Sequence, residues 1–338
     1  MSEHGLADWL KPASAKLSAS QAHAWLIAGS GAQGQLELAL TAAKAALCHA
    51  DSARESGQAC GNCPSCHQFD LKTHADLKVI LPETLGLETG WPLEAAAARD
   101  LDKKKRKPSG EIRIDAVRDL LAFCQLTPSG PRDKVVVIHP CEQLNPSSAN
   151  ALLKTLEEPG ERTRFLLTTH AESRLLATVK SRCLIHRLSI PPESQTLDWL
   201  QHQGLAAKDA AVLLRAAGGQ PETALALQQS GWTASRWSEL PRRILAGEWE
   251  DLTDYPMPEV VAVLQKICHD ALCVAHGASP RFFAVQDVPD QAHPWRLAQW
   301  AKSLNETARH AQHPYHAALM MDALISQAQR ALQASHVH

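Results

Sequence analysis

The stretch Ala24-Trp-Leu-Ile-Ala28-Gly29-Ser-Gly-Ala-Gln-Gly34-Gln35-Leu36 decides how this chain is read. A short apolar run, as in a strand, leads into a loop with glycines at Gly29 and Gly34. An Ala- and Leu-rich helix follows, which completes the strand–loop–helix context of a phosphate-binding loop. A working loop reads G-x-x-x-x-G-K-[ST]; its lysine reaches the outer phosphates and its hydroxyl holds magnesium. Here Gln35 stands in the lysine position and Leu36 in the hydroxyl position. A neutral amide cannot replace an ammonium against a triphosphate, and leucine cannot bind a metal. The frame predicts a P-loop domain, and the side chains predict that it binds no ATP.

Around this loop the first half alternates strand-like and helix-like stretches, the pattern of a parallel α/β sheet. Strands are expected at 24–28, 77–81, 134–139 and 164–169, and Val135-Val-Val-Ile138 suits a strand buried on both faces. Helices are expected at 36–48, 114–123, 147–158 and 172–178, the third ending at Pro159. Between Pro82 and Gly110 the pattern breaks into a Pro/Gly-containing loop carrying Lys103-Lys-Lys-Arg-Lys107. Such a run reads first as a solvated surface, with a local DNA or partner contact as the alternative. Strand signals fade after Leu188, Pro191-Pro192 marks a linker, and the remainder reads helical. Val260, Leu264, Ile267 and Ala271, and again Met321, Leu324, Ala328 and Leu332, recur at helical spacing as the stripe of a packed bundle.

Composition excludes several function classes. At 338 residues the chain has room for two or three domains. No apolar run approaches the eighteen or so residues of a membrane span, and the N-terminus shows no secretory pattern. A reducing, cytoplasmic setting is therefore expected. A formal net charge of −2 leaves no global electrostatic footprint for nucleic acid.

Three sets of residues point to chemistry or its loss. Cys60-Gly-Asn-Cys63-Pro-Ser-Cys66 brings three thiols onto one tight turn, with Cys48 upstream at a predicted helix end. Four sulfurs close a tetrahedral structural zinc site. His49 or His67 is an alternative fourth ligand, and free thiols are the plain alternative. An iron–sulfur pattern would need a further cysteine followed by proline, and Asp70 stands at that place. The strand 134–139 should end in the acidic pair that holds magnesium and orients water in an active ATPase; His139 and Pro140 stand there instead. Finally, Ser181-Arg182-Cys183 offers an arginine whose rigid donor fork suits a triphosphate on a neighbouring subunit. On spacing alone, an ordinary surface ion pair is the simpler reading of Arg182.

Asn150-Ala-Leu-Leu-Lys-Thr-Leu-Glu-Glu-Pro159, Phe165-Leu-Leu-Thr-Thr169 and Ser181-Arg-Cys183 together resemble the bacterial clamp-loader AAA+ family. The defective loop, the cysteines and Ile112-Arg-Ile-Asp-Ala-Val-Arg118 narrow the resemblance to the delta-prime subunits of DNA polymerase III. It is densest over residues 20–190 and mainly architectural beyond. The resemblance implies α/β plus all-α architecture: a RecA-like domain with a zinc-binding insertion (1–188), a helical lid (189–231) and a helical collar for oligomerisation (232–338). It maps structural Zn2+ onto Cys48, Cys60, Cys63 and Cys66, and an arginine finger acting in trans onto Arg182. The lid arginine that senses nucleotide in motor subunits maps onto Glu222, whose charge would repel phosphate. The implied role is a non-hydrolysing partner in a hetero-oligomer with gamma/tau motor subunits and a delta subunit, which together place a sliding clamp on primer-template DNA. An ATP-hydrolysing motor of the same family and a zinc-dependent DNA-binding module are the rival readings. No motif for nucleotide addition is present.

Overall fold

The structure, a computed structural model, describes residues 6–311 and 317–333. The chain forms two compact units, Met1–Pro191 and Pro192–His338.

The first unit is built on five parallel strands, β1 (Ala24–Ala28), β2 (Leu77–Ile80), β3 (Lys134–Ile138), β4 (Thr163–Thr169) and β5 (Leu184–Arg187). Their order is β2-β3-β4-β1-β5. β1 and β3 are buried along their whole length, which is why both read as unbroken apolar runs. Register then positions the loop. Ala28 is opposite Thr169, so Gly29 N–H donates to the Thr169 carbonyl at 3.0 Å and Gly31 N–H to that of His170 at 3.2 Å. The helices of this unit are α1 (Lys11–Ala19), α2 (Gln35–Leu47), α3 (Ser52–Ser56), α4 (Pro64–Asp70), α5 (Glu83–Thr89), α6 (Ala95–Asp102), α7 (Ile114–Gln125), α8 (Pro146–Glu157) and α9 (Ala177–Lys180). Lys134 opens β3 almost fully buried. Its ammonium donates to the carbonyls of Phe123 and Leu126 at the C-terminal end of α7, a position the helix dipole favours for a cation.

Three local expectations are corrected. The expected helix over 172–178 is a 3-10 turn, Glu172–Arg174, followed by the separate α9. Leu175 and Leu176 are extended between them, and Leu175 and Val179 both pack into the core. β5 was not foreseen, being a short, partly exposed edge strand that contains His186 and Arg187. The stretch 82–110 holds α5 and α6 rather than plain loop. Glu83 ties it together, accepting from Arg106 Nη2 at 2.7 Å and from the Ser109 amide at 2.8 Å. Within the basic run Arg106 is thus turned inward and Lys105 pairs with Asp100, while Lys103, Lys104 and Lys107 are exposed.

The second unit is helical: α10 (Glu193–His202), α11 (Ala207–Ala216), α12 (Pro221–Gln229), α13 (Ala234–Ala246), α14 (Met257–Ala275), α15 (Pro294–Ala308) and α16 (Ala317–Leu332). Residues from Leu200 to Leu332 share one apolar cluster, so the segments 189–231 and 232–338 contribute to a common core. Both stripes expected from helical spacing are buried in it, on α14 and α16. Trp237 stacks on Phe283 at 4.9 Å and donates its indole N–H to the Phe282 carbonyl at 3.1 Å. Among the described residues, no helix is long and apolar enough to cross a membrane.

Candidate functional site

The phosphate loop joins β1 to α2. Gly34, at φ 90°, turns the chain into α2 in a conformation that disfavours any side chain. The Gln35 side chain is completely buried and folds back across the loop. Its Oε1 accepts the Gln33 N–H at 2.8 Å, and its Nε2 donates to the Gly31 carbonyl at 2.6 Å. A Cβ on Gly29 would collide with the Gln35 amide, so the first loop glycine is what leaves room for it. In a phosphate-binding loop such backbone N–H groups point at the anion. Here the Gln33 amide is bonded to a side chain of its own loop, and the cradle is occupied from within. Leu36 is half-buried and offers no ligand to magnesium.

At the end of β3, His139 occupies the expected acidic position. Its Nδ1 lies 2.6 Å from Thr168 Oγ1, both groups are buried, and its ring meets that of His170 edge-on at 5.1 Å. Burial, with His170 beside it, pulls its pKa down to about 3 and keeps the ring neutral. Pro140 has no side-chain base, and Glu142 accepts the His170 N–H at 2.9 Å. Neither Gln35 nor His139 leaves a charge in the pocket. Glu222 lies in the second unit, in the first turn of α12, where a helix dipole favours a carboxylate.

The four cysteines converge. α2 ends at Cys48, and the turn through Gly61, at φ 78°, leads to Cys63 at the N-terminus of α4. All four Sγ atoms lie within 4.8 Å of one another, with Cys48–Cys63 and Cys60–Cys66 at 4.0 Å. A tetrahedral ion with metal–sulfur bonds of about 2.3 Å sets its sulfurs about 3.8 Å apart, so this set can hold a metal. Amides aim at it as well: Cys60 N–H at Cys48 Sγ (3.3 Å) and Cys66 N–H at Cys63 Sγ (3.5 Å). Against the burial that opposes ionisation, backbone N–H groups of His49 and Cys66 draw Cys63 down to about 6, while burial pushes Cys66 up to about 12. The imidazoles of His49 and His67 are exposed and stand outside the group. A second cluster, His269, Asp270 and Cys273, is not equivalent. The buried Asp270 carboxylate there accepts the amides of Arg281, Phe282 and Phe283 and is saturated by its own chain.

Arg182 follows α9. Cys183 packs at the edge of the core, and Ser181 Oγ donates to the Thr178 carbonyl at 3.1 Å. The guanidinium donates from Nη1 to the Thr178 carbonyl at 2.7 Å and from Nη2 to Glu157 at the end of α8. Sequence reasoning missed both Glu157 and the inward fold of Gln35. One signal for the first was present: a carboxylate on the last turn of a helix opposes the dipole and calls for a cation.

A P-loop, the parallel order β2-β3-β4-β1-β5 and an appended helical unit define an AAA+ domain with helical additions. The profile of the family described as "DNA polymerase III, delta subunit" matches residues 12–192, more than half of the chain. The delta-prime subunit of DNA polymerase III from Pseudomonas aeruginosa is 36% identical over 215 residues, 63% of this chain and 58% of its own length. That of Escherichia coli is 32% identical over 284 residues, 80% of this chain and 77% of its own length. Among solved structures, a gamma subunit-related protein of DNA polymerase III from Thermotoga maritima is 17% identical, covering 96% of this chain and all of its own, with a TM-score of 0.45. The chain belongs to the delta-prime family of DNA polymerase III subunits.

The buried His139 makes stability depend on pH. Unfolded, its imidazole takes up a proton below about pH 6.5, whereas folded it resists protonation down to about 3. In that window the unfolded state binds the extra proton, so stability rises with pH. Equilibrium denaturation between about pH 7 and 4 should show the unfolding free energy falling as acid is added, with a shallower slope in His139→Asn. Equal slopes in the two proteins would contradict the assignment.

Proposed function

We propose that this chain is the non-hydrolysing member of a DNA polymerase III clamp loader: a stator that binds no ATP and supplies Arg182 to the ATP site of a neighbouring motor subunit. The observation that carries the reading is the Gln35 amide seated inside the phosphate loop. A triphosphate would have to displace a fully buried side chain and would find neither an ammonium nor a metal-binding hydroxyl. The neutral His139 at the end of β3 argues the same way, since it can neither hold magnesium nor serve as a carboxylate base. Family membership supplies the context: motor subunits of the gamma/tau kind, a delta subunit, a sliding clamp and primed DNA as partners, in a cytoplasmic hetero-oligomer. In this reading residues 189–231 are the lid and 232–338 the collar through which the subunit assembles.

Arg182 suits a finger because its guanidinium stays charged and its fork matches phosphate oxygens. Its backbone is anchored by the neighbouring Cys183, which packs against the edge of the core. The four cysteines are proposed to hold one structural Zn2+. Bound there, the ion would fasten the end of α2 to the start of α4 and stabilise the folded insertion by its own binding energy.

Three measurements test these statements. Equilibrium binding of ATP at millimolar concentration, with and without magnesium, should detect none; clear magnesium-dependent binding would reopen the motor reading. In the assembled loader, Arg182→Ala should leave assembly intact and lower DNA-stimulated ATP turnover, by about a thousandfold or more at the affected site if the finger matches those of GTPases. Unchanged turnover would remove the finger. Metal analysis of the purified chain should find about one zinc per chain, and chelation or Cys63→Ser should lower its thermal stability. A metal-free chain that is natively folded and assembles normally would sink the zinc assignment.

A further inference from the structure

Arg182 does not extend from the surface in this structure. One Nη1 hydrogen is given to the Thr178 carbonyl, Ser181 Oγ lies 3.4 Å from the same nitrogen, and Nη2 is bonded to the Glu157 carboxylate. The Nε–H is buried and has no acceptor. Only a quarter of the side chain is exposed, against half of Glu157. A guanidinium so engaged has little of its donor fork left for a phosphate.

Glu157 is an odd residue for its place. It is the last residue of α8, with Glu158 beside it and Pro159 next, where the dipole disfavours negative charge. Two adjacent carboxylates at that end call for a cation, and Arg182 is the one Glu157 holds. We propose that Glu157 is a positioning residue for Arg182. Its carboxylate parks the guanidinium against the end of α8 and releases it when an assembled neighbour presents the stronger anion, a nucleoside triphosphate. This inference rests on the reading of Arg182 as a finger in trans.

The balance makes such a device workable. A half-exposed ion pair is weak, and the unbonded Nε–H leaves the parked state incompletely satisfied. Leaving it is therefore cheap, while a triphosphate carries several charges with which to draw the arm out. Parking lowers the fraction of chains ready to complete a neighbour's site, and the apparent activity falls by that fraction. Removing the carboxylate while keeping its shape should raise the ready fraction about threefold to fivefold. At about 1.4 kcal/mol per tenfold this is less than about 1 kcal/mol, within what such a pair contributes.

The test has two arms. In the full-length chain, an arginine-selective dicarbonyl reagent (phenylglyoxal) read out by mass spectrometry reports how available Arg182 is. Glu157→Gln should speed its labelling about threefold or more, and Glu157→Asp, which keeps the carboxylate, should restore slow labelling. In the assembled loader, Glu157→Gln should raise DNA-independent ATP turnover about threefold to fivefold and narrow the ratio of stimulated to unstimulated rates. The double variant Glu157→Gln/Arg182→Ala should turn over as Arg182→Ala alone does. Unchanged labelling in Glu157→Gln overturns the proposal, and so does a rate increase that persists when Arg182 is absent. If Arg182→Ala itself leaves turnover unaltered, it is the finger reading that falls, and the labelling arm still decides whether Glu157 parks the side chain.

Discussion

A phosphate loop is a concave set of backbone N–H groups, and buried N–H groups must find an acceptor. In this chain the Gln35 amide accepts the N–H of Gln33 and bridges the loop from within. Oε1 satisfies Gln33, Nε2 satisfies the Gly31 carbonyl, and the register of β1 on β4 gives the Gly29 and Gly31 amides to Thr169 and His170. Gly29 has to lack a side chain so that the amide fits, and Gly34 has to take a positive φ so that α2 starts where Gln35 can reach back. Exchanging lysine for glutamine has therefore not collapsed the loop. It has left a neutral, internally bonded structure of the same outline.

The same economy appears at the end of β3, where a buried, uncharged imidazole bonded to Thr168 replaces the charged pair of an ATPase. Neither Gln35 nor His139 brings a charge of its own to this end of the sheet. Arg182 and Glu157 keep their charges as an ion pair joining the residue after α9 to the end of α8. Partial exposure keeps such a pair weak.

The cysteine cluster and the stretch 82–110 show two ways of holding an insertion onto a parallel sheet. The first gathers four sulfurs within 4.8 Å at the junction of α2 and α4. The second relies on a single partly buried carboxylate, Glu83, which accepts from the Arg106 fork and the Ser109 amide and leaves the lysines beside it to solvent.

Much of this was legible before any coordinates. β1 and β3 are buried on both faces and so carry continuous apolar runs, the glycines of the loop and the cysteine spacing are local, and the stripes of α14 and α16 follow the helical period. What was not legible depends on residues far apart in the chain. β5 is an edge strand whose pairing comes from β1, about 160 residues earlier by its register. Glu172–Thr178 reads as one helix, yet the chain is extended at Leu175 and Leu176 and divides it. α5 and α6 hide behind Pro and Gly until the Glu83–Arg106 pair closes them. Sequence by itself determined that the loop lacks its ammonium and hydroxyl, because charge and chemistry belong to residue types. Only the tertiary structure decided that Gln35 fills the cradle, that Cys48 and not a histidine completes the sulfur set, and that Arg182 lies against Glu157. Each of these is a matter of which side chains meet, and packing alone arranges that.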